Sequence, residues 1–170
     1  LFAIALWHVM AGRDNRASEI SVLLFGTDNL CSALGALFPA YGAMQMLGTP
    51  ELMASLRPGA GTYAVEAFNG VRSESIVSLV STALPGLTTC PSYHTTLGLL
   101  AVYFCRGNNL ALAATGAYAA VMIASTPVFG GHYLFDIIAG IAFTAFCIGL
   151  WRAVQGQPAP IASRQALARA

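Results

Sequence analysis

The sequence predicts an all-α, polytopic bundle of membrane-crossing helices, and three observations carry that prediction. Of 170 residues, 56% are hydrophobic and only 9% are charged, with a mean hydropathy of +0.67. A soluble domain carries about 25% charged residues, so a water-soluble fold of this size has too few charges to cover itself. The apolar residues also fall into long runs separated by short polar or Pro/Gly-rich breaks, and a crossing needs about 20 such residues. Finally, all eight basic residues are arginine, and their placement in the breaks fits a consistent count of crossings. About five to six spans are expected in the intact protein, with a short interfacial helix beside them.

Taken in order, Leu1–Met10 is apolar but too short to cross, and it lacks a basic leader and a small-residue cleavage site. It reads as the truncated end of a transmembrane helix. Residues 11–18 are a polar break with Arg13, Asp14, Asn15 and Arg16. Glu19 to Leu47 is apolar again and suits one tilted or kinked crossing, interrupted at Gly26-Thr27-Asp28-Asn29 and bent at Pro39. Asp28 is a candidate intramembrane carboxylate, with a bond to a neighbouring helix's hydroxyl or amide as its plainer role.

Residues 48–72, with Pro50, Pro58, two glutamates and two arginines, read as a polar external loop. Ser73–Leu87 fits a short interfacial or re-entrant helix, with Ser73 as cap and Glu74 in its first turn. Pro91-Ser92 suits a helix start, because proline is tolerated there and serine satisfies an orphan amide. That helix covers His94–Cys105 and stops at Arg106-Gly107-Asn108-Asn109. The next covers Leu110–Ser125, stopped by Thr126-Pro127. A Gly130-Gly131 turn leads to the last span, His132–Trp151. Residues 1–152 thus form a single transmembrane domain, and 153–170 a flexible cytoplasmic tail.

Four cysteines, Cys31, Cys90, Cys105 and Cys147, show no C-x-x-C spacing. They indicate neither a zinc finger nor a disulfide framework, and in an apolar helix each acts as a small hydrophobe. A net charge of +1 gives no footing for a nucleic-acid partner. His8 is read as structural.

Arginine favours cytoplasmic loops. With Arg13 and Arg16 inside, counting crossings places Arg106, Arg152, Arg164 and Arg169 inside and Arg57 and Arg72 outside. The same count puts His94 and His132 on one face of the membrane, at adjacent helix ends. His132 and Asp136 lie one helical turn apart on the same helix face. In that arrangement the carboxylate fixes the tautomer of the ring and leaves the other nitrogen able to attack. A second histidine can then exchange a proton with a leaving or incoming oxygen. Ser92 and Thr126 offer hydroxyl donors, Gly131 allows close backbone approach, and the start of the helix at Ser92 favours an anion.

The motifs Pro91-Ser92-Tyr93-His94 and Ser125-Thr126, with His132 and Asp136 following at matching spacing, resemble those of the type 2 phosphatidic acid phosphatase superfamily. Its pattern is Lys-x6-Arg-Pro, Pro-Ser-Gly-His and Ser-Arg-x5-His-x3-Asp, matched over about residues 57–145. Here Tyr93 stands for the glycine and Thr126 for the arginine. Arg57-Pro58 stands for the end of the first motif, and Pro50 occupies the position of its lysine. The pattern is nearest the branch with inositol phosphorylceramide synthase and sphingomyelin synthase, whose bacterial relatives are similar around Gly-Gly-His-Tyr-x-x-Asp.

The resemblance implies a membrane lipid phosphatase or phosphotransferase acting on a lipid phosphate or phospholipid, without metal or cofactor. His132 would be the nucleophile that becomes a phosphohistidine, Asp136 its orienting partner, and His94 the general acid and then base. With the family's clamp missing, phosphate charge would be met from the external loop by Arg72 or Arg57. It also implies a bacterial inner (plasma) membrane, with the site facing outward. Two other readings of the residues stay open: a metal site on His94, His132 and Asp136 with Cys90 close in sequence, and a non-enzymatic protein such as an anion transporter, or an inactive relative.

Overall fold

The computed structural model describes residues 2–37, 40–55, 65, 69–70, 73, 90–128 and 131–156. Its elements are α1 (Phe2–Met10), α2 (Asp14–Leu37), α3 (Ala43–Leu47), α4 (Pro50–Ser55), α5 (Tyr93–Phe104), α6 (Asn109–Val128) and α7 (Leu134–Val154). The described residues contain no strand. Asp14–Leu37, Asn109–Pro127 and Leu134–Val154 are each long and apolar enough to cross a membrane. Arg57, Arg72 and the interfacial helix expected after Ser73 lie outside the described residues, as does most of the expected tail.

Helix α5 is the hub. It packs against α6, α7 and α2, while α2 also meets α1 and α7. The buried positions of α7 are Asp136, Ile137, Gly140, Phe143, Thr144 and Cys147, and those of α2 include Ile20, Leu23, Thr27, Cys31 and Gly35. Steps of three and four keep these on one helix face. The core cluster joins Ile20, Leu23, Cys31, Leu100, Phe104, Phe143 and Cys147. The opposite faces are apolar too: Phe25, Leu110, Tyr118, Val121, Phe135 and Phe146 are each more than 60% exposed. Apolar side chains facing both inward and outward suit a bundle whose solvent is lipid.

Small residues let the helices approach. A Cβ on Gly140 would meet the Ser92 carbonyl oxygen at 2.7 Å and Thr95 Cβ at 3.0 Å, and one on Gly98 would meet Met122 Cε at 3.0 Å and Ala119 Cβ at 3.2 Å. Gly140 therefore sets the contact of α7 with α5, and Gly98 that of α5 with α6.

Several boundaries differ from those expected. Helix α2 starts at Asp14, within the expected break, where a carboxylate favours the helix N-terminus. It then continues through 26–29 without interruption. Thr27 Oγ1 donates to Leu24 O at 3.2 Å and Asn29 Nδ2 to Phe25 O at 2.7 Å, so these polar side chains are satisfied by the helix itself. The single crossing expected over 19–47 is instead two helices, α2 and α3, on either side of the proline at position 39. The expected external loop holds α4, with Pro50 as its first residue, Glu51 in its first turn, and Thr49 Oγ1 accepting Leu52 N–H at 3.2 Å.

Helix α6 passes through Thr126-Pro127 to Val128. Proline cannot donate to the carbonyl four residues back, and Thr126 Oγ1 donates to that carbonyl, Ile123 O, at 2.8 Å. The hydroxyl replaces the missing amide.

At the end of the bundle formed by the starts of α2 and the ends of α5 and α7, Glu19 is buried among cations. Arg106 Nη2 donates to both of its oxygens at 3.0 Å, Arg16 Nη1 to Oε2 at 3.1 Å, and Tyr103 Oη to Oε1 at 2.5 Å. Arg152 Nε donates to Tyr103 Oη at 3.3 Å. The counting of crossings had already put these arginines together.

Gly140→Val is expected to unfold in detergent at a lower temperature, losing about 2 kcal/mol from overpacking, and to lose activity with it. Gly116→Val is the control, since a Cβ there meets nothing within 4 Å, and it should unfold close to the parent temperature.

Candidate active site

The other end of the bundle is built from residues 90–94 and 131–136. Ser92 caps α5: it is fully buried, and its Oγ accepts Thr95 N–H at 3.4 Å. Its own N–H donates to Asp136 O at 3.0 Å. Pro91 O accepts from Cys31 Sγ at 3.3 Å. The segment before α5 is thereby fixed to both α7 and α2.

Asp136 is the third residue of α7 and caps it. Its Oδ2 accepts Tyr133 N–H at 2.8 Å, and its own N–H donates to Tyr133 O at 3.1 Å. The same Oδ2 lies 3.6 Å from His132 Nδ1. On the far side of that ring, His132 Nε2 lies 3.3 Å from His94 Nδ1, with ring centroids 5.5 Å apart and planes at 70°. Asp136, His132 and His94 thus form one line. His132 and Asp136 are buried at 6% and 3% exposure, while His94, in the first turn of α5, is exposed.

The carboxylate favours a proton on His132 Nδ1, which leaves the Nε2 lone pair to accept from His94 Nδ1–H. At 3.3 Å the two rings touch, so His132 Nε2 is open to another group only when His94 turns aside. Exposure gives His94 the room to do so.

Cys90, which the sequence placed near the site only in the metal reading, has a different place here. Cys90 lies close to the Asp136 carboxylate, and burial first, then the charge of Asp136, pushes the thiol pKa up. It stays protonated. Its proximity in sequence to Ser92 was the available signal.

The candidate anion-binding groups are placed differently from one another. Ser92 faces its own helix, and Thr95 and Thr96 amides are both engaged by it. The Thr126 hydroxyl proton is committed to Ile123 O. Gly131, the residue before His132, has room around it: a Cβ there would meet nothing within 4 Å. Tyr93, in the place of the family glycine, points away and donates to Leu24 O at 3.3 Å. Among the described residues, no three His, Cys, Asp or Glu side chains gather as a metal-binding group.

Asp136 holds two roles that substitution separates. Asp136→Asn keeps an oxygen for Tyr133 N–H but loses the charge beside His132, whereas Asp136→Ala loses both. Activity is expected to fall by about 10²-fold or more in either variant, while only Asp136→Ala should also lose about 1 kcal/mol of stability. Paired turnover and thermal-unfolding measurements check this, and equal destabilisation by both variants would contradict the capping role.

Comparison with known proteins identifies the family of the chain. No curated protein and no solved structure matches the chain. A family model described as the PAP2 superfamily matches residues 1–150, which takes in α1 to α6, most of α7 and all three residues of the line. That family supports a phosphatase or phosphotransferase type of function for an integral membrane protein. The match spans the bundle and not the site alone, and the chain belongs to the PAP2 superfamily.

Proposed function

We propose that the chain is a membrane lipid phosphatase or phosphotransferase acting on a lipid phosphate or phospholipid through a phosphohistidine at His132. The observation that carries the proposal is the Asp136–His132–His94 line in a member of this superfamily. It contains a nucleophile, an orienting carboxylate and a proton carrier in sequence, as covalent catalysis requires.

In the first step His94 swings off His132, and the Nε2 lone pair of His132 attacks phosphorus. The P–O bond to the lipid alcohol breaks in line with that attack, and protonated His94 gives its proton to the departing oxygen. Asp136 stabilises the positive charge that develops on the His132 ring. In the second step His94 takes a proton from water or from an acceptor alcohol as its oxygen attacks phosphorus. The P–N bond then breaks, and the electron pair returns to Nε2. Water makes the enzyme a hydrolase and an alcohol makes it a transferase, with identical residues in both.

With Thr126 bonded to its own helix, the charge that holds phosphate is assigned to Arg72 or Arg57 in the external loop. The pattern around Tyr93 and Gly131-His132-Tyr133 favours the branch with inositol phosphorylceramide synthase and sphingomyelin synthase. The positive-inside rule puts the arginine end in the cytoplasm and the histidine end outside, in a bacterial inner membrane. The chemistry asks nothing of a metal, so turnover should survive a chelator.

Phosphoenzyme trapping with labelled lipid phosphate tests the mechanism. Wild type should form an acid-labile, base-stable label, and His132→Ala should form none. His94→Ala should turn over about 10²- to 10⁴-fold more slowly. A label that persists in His132→Ala would overturn the assignment.

A further inference from the structure

We propose that the arginine end of the bundle is a second anion site, one that binds the phosphate of an anionic membrane lipid in the leaflet opposite the histidines. Arg16 and Arg106 bind Glu19 there, Arg152 bonds Tyr103 beside them, and Arg13 stands one turn before Arg16, so four guanidiniums share that end with two carboxylates, Asp14 and Glu19. Glu19 is already saturated: Arg106, Arg16 and Tyr103 all donate to its two oxygens. The positive charge is therefore not cancelled within the cluster.

The spare donors are specific. Arg152 engages Tyr103 Oη through Nε alone, with its guanidinium carbon 5.3 Å from the Tyr103 ring. Arg13 lies over the Trp7 ring at 5.1 Å. Among the described residues, the Nη groups of Arg152 and Arg13 have no hydrogen-bond partner. Both cations are held by stacking on an aromatic ring, which leaves the planar fork open in the geometry that suits a phosphate.

The surroundings favour a lipid over free phosphate. Within four residues of Arg13, Arg106 and Arg152 in the chain stand Met10, Leu110 and Val154, each more than 70% exposed. Such surface suits acyl chains, and the aromatic–arginine pairs suit the headgroup level. Free phosphate would use the same forks but gain nothing from the apolar flank.

Thermal unfolding of the full chain in a neutral detergent tests this, with phosphatidylglycerol, phosphatidylcholine and inorganic phosphate as probes. Phosphatidylglycerol is expected to raise Tm by about 5 °C near saturation, and the other two to leave it in place. Arg152→Gln and Arg13→Gln should keep wild-type helix content and turnover but lose the shift. His132→Ala should keep it, which locates the lipid away from the histidines whether or not the phosphohistidine mechanism holds. An equal shift with phosphatidylcholine, a shift retained in both arginine variants, or a shift lost in His132→Ala would overturn the proposal. An equal shift with inorganic phosphate would overturn its lipid source.

Discussion

The hydrogen bond from the Ser92 amide to the Asp136 carbonyl, 3.0 Å long, joins the start of α5 to the first turn of α7, and the placement of both histidines follows from it. His94 is two residues beyond Ser92 and His132 four before Asp136, so little chain separates either ring from the junction. Gly140, one turn further along α7, holds the same contact from below, because any side chain there would strike the Ser92 carbonyl. The carboxylate of Asp136 adds a second constraint by capping α7 and facing His132 with the same oxygen. Helix start, helix crossing and imidazole orientation are thus consequences of one residue's environment.

The opposite end is fastened by charge. Glu19 is the buried carboxylate of that end, and its partners come from α2, from α5 and from the turn that follows α5. Removing one partner of such a group leaves a buried charge uncompensated. Because Arg152 of α7 also bonds Tyr103, the two parallel helices α5 and α7 are tied together at both ends: by backbone and a carboxylate cap at one, and by an arginine–tyrosine–glutamate network at the other. The histidine line lies at the first of these ends, and of its three side chains His94 alone is exposed.

Much of this was legible in the sequence. Three histidines in a chain with few ionisable groups, two of them at helix ends that the arginine count puts on one face, point to a shared site without coordinates. His132 and Asp136 do meet, but not as two residues on one helix face: α7 begins at Leu134, so His132 stands before it, and the chain at the Asp136 cap brings the ring to the carboxylate. What the sequence conceals is where polar side chains spend their hydrogen bonds. Thr27 and Asn29 look like helix breakers, yet each bonds back to its own helix. Thr126 looks like a phosphate donor at a helix end, yet it serves the carbonyl that Pro127 leaves unbonded. Glu19 looks like the polar edge of an apolar run, but its partners Tyr103 and Arg106 are more than 80 positions away, beyond any local pattern.

Helix α5 has twelve residues, a rise of about 18 Å, and it carries the histidine site at one end and the arginine cluster at the other. The hydrocarbon interior of a bilayer is about 30 Å thick. The two polar ends are therefore closer together than the two headgroup planes they serve. Arginine side chains are long and reach outward, whereas an imidazole line locked to a helix cap cannot. Under the proposed mechanism, hydrophobic mismatch falls on the histidine side, where the bilayer must thin toward the ring or the reacting phosphate must sit below its neighbours. On that proposal, membrane thickness becomes a physical variable of the reaction, with acyl-chain length in the surrounding lipid setting how far the phosphate descends.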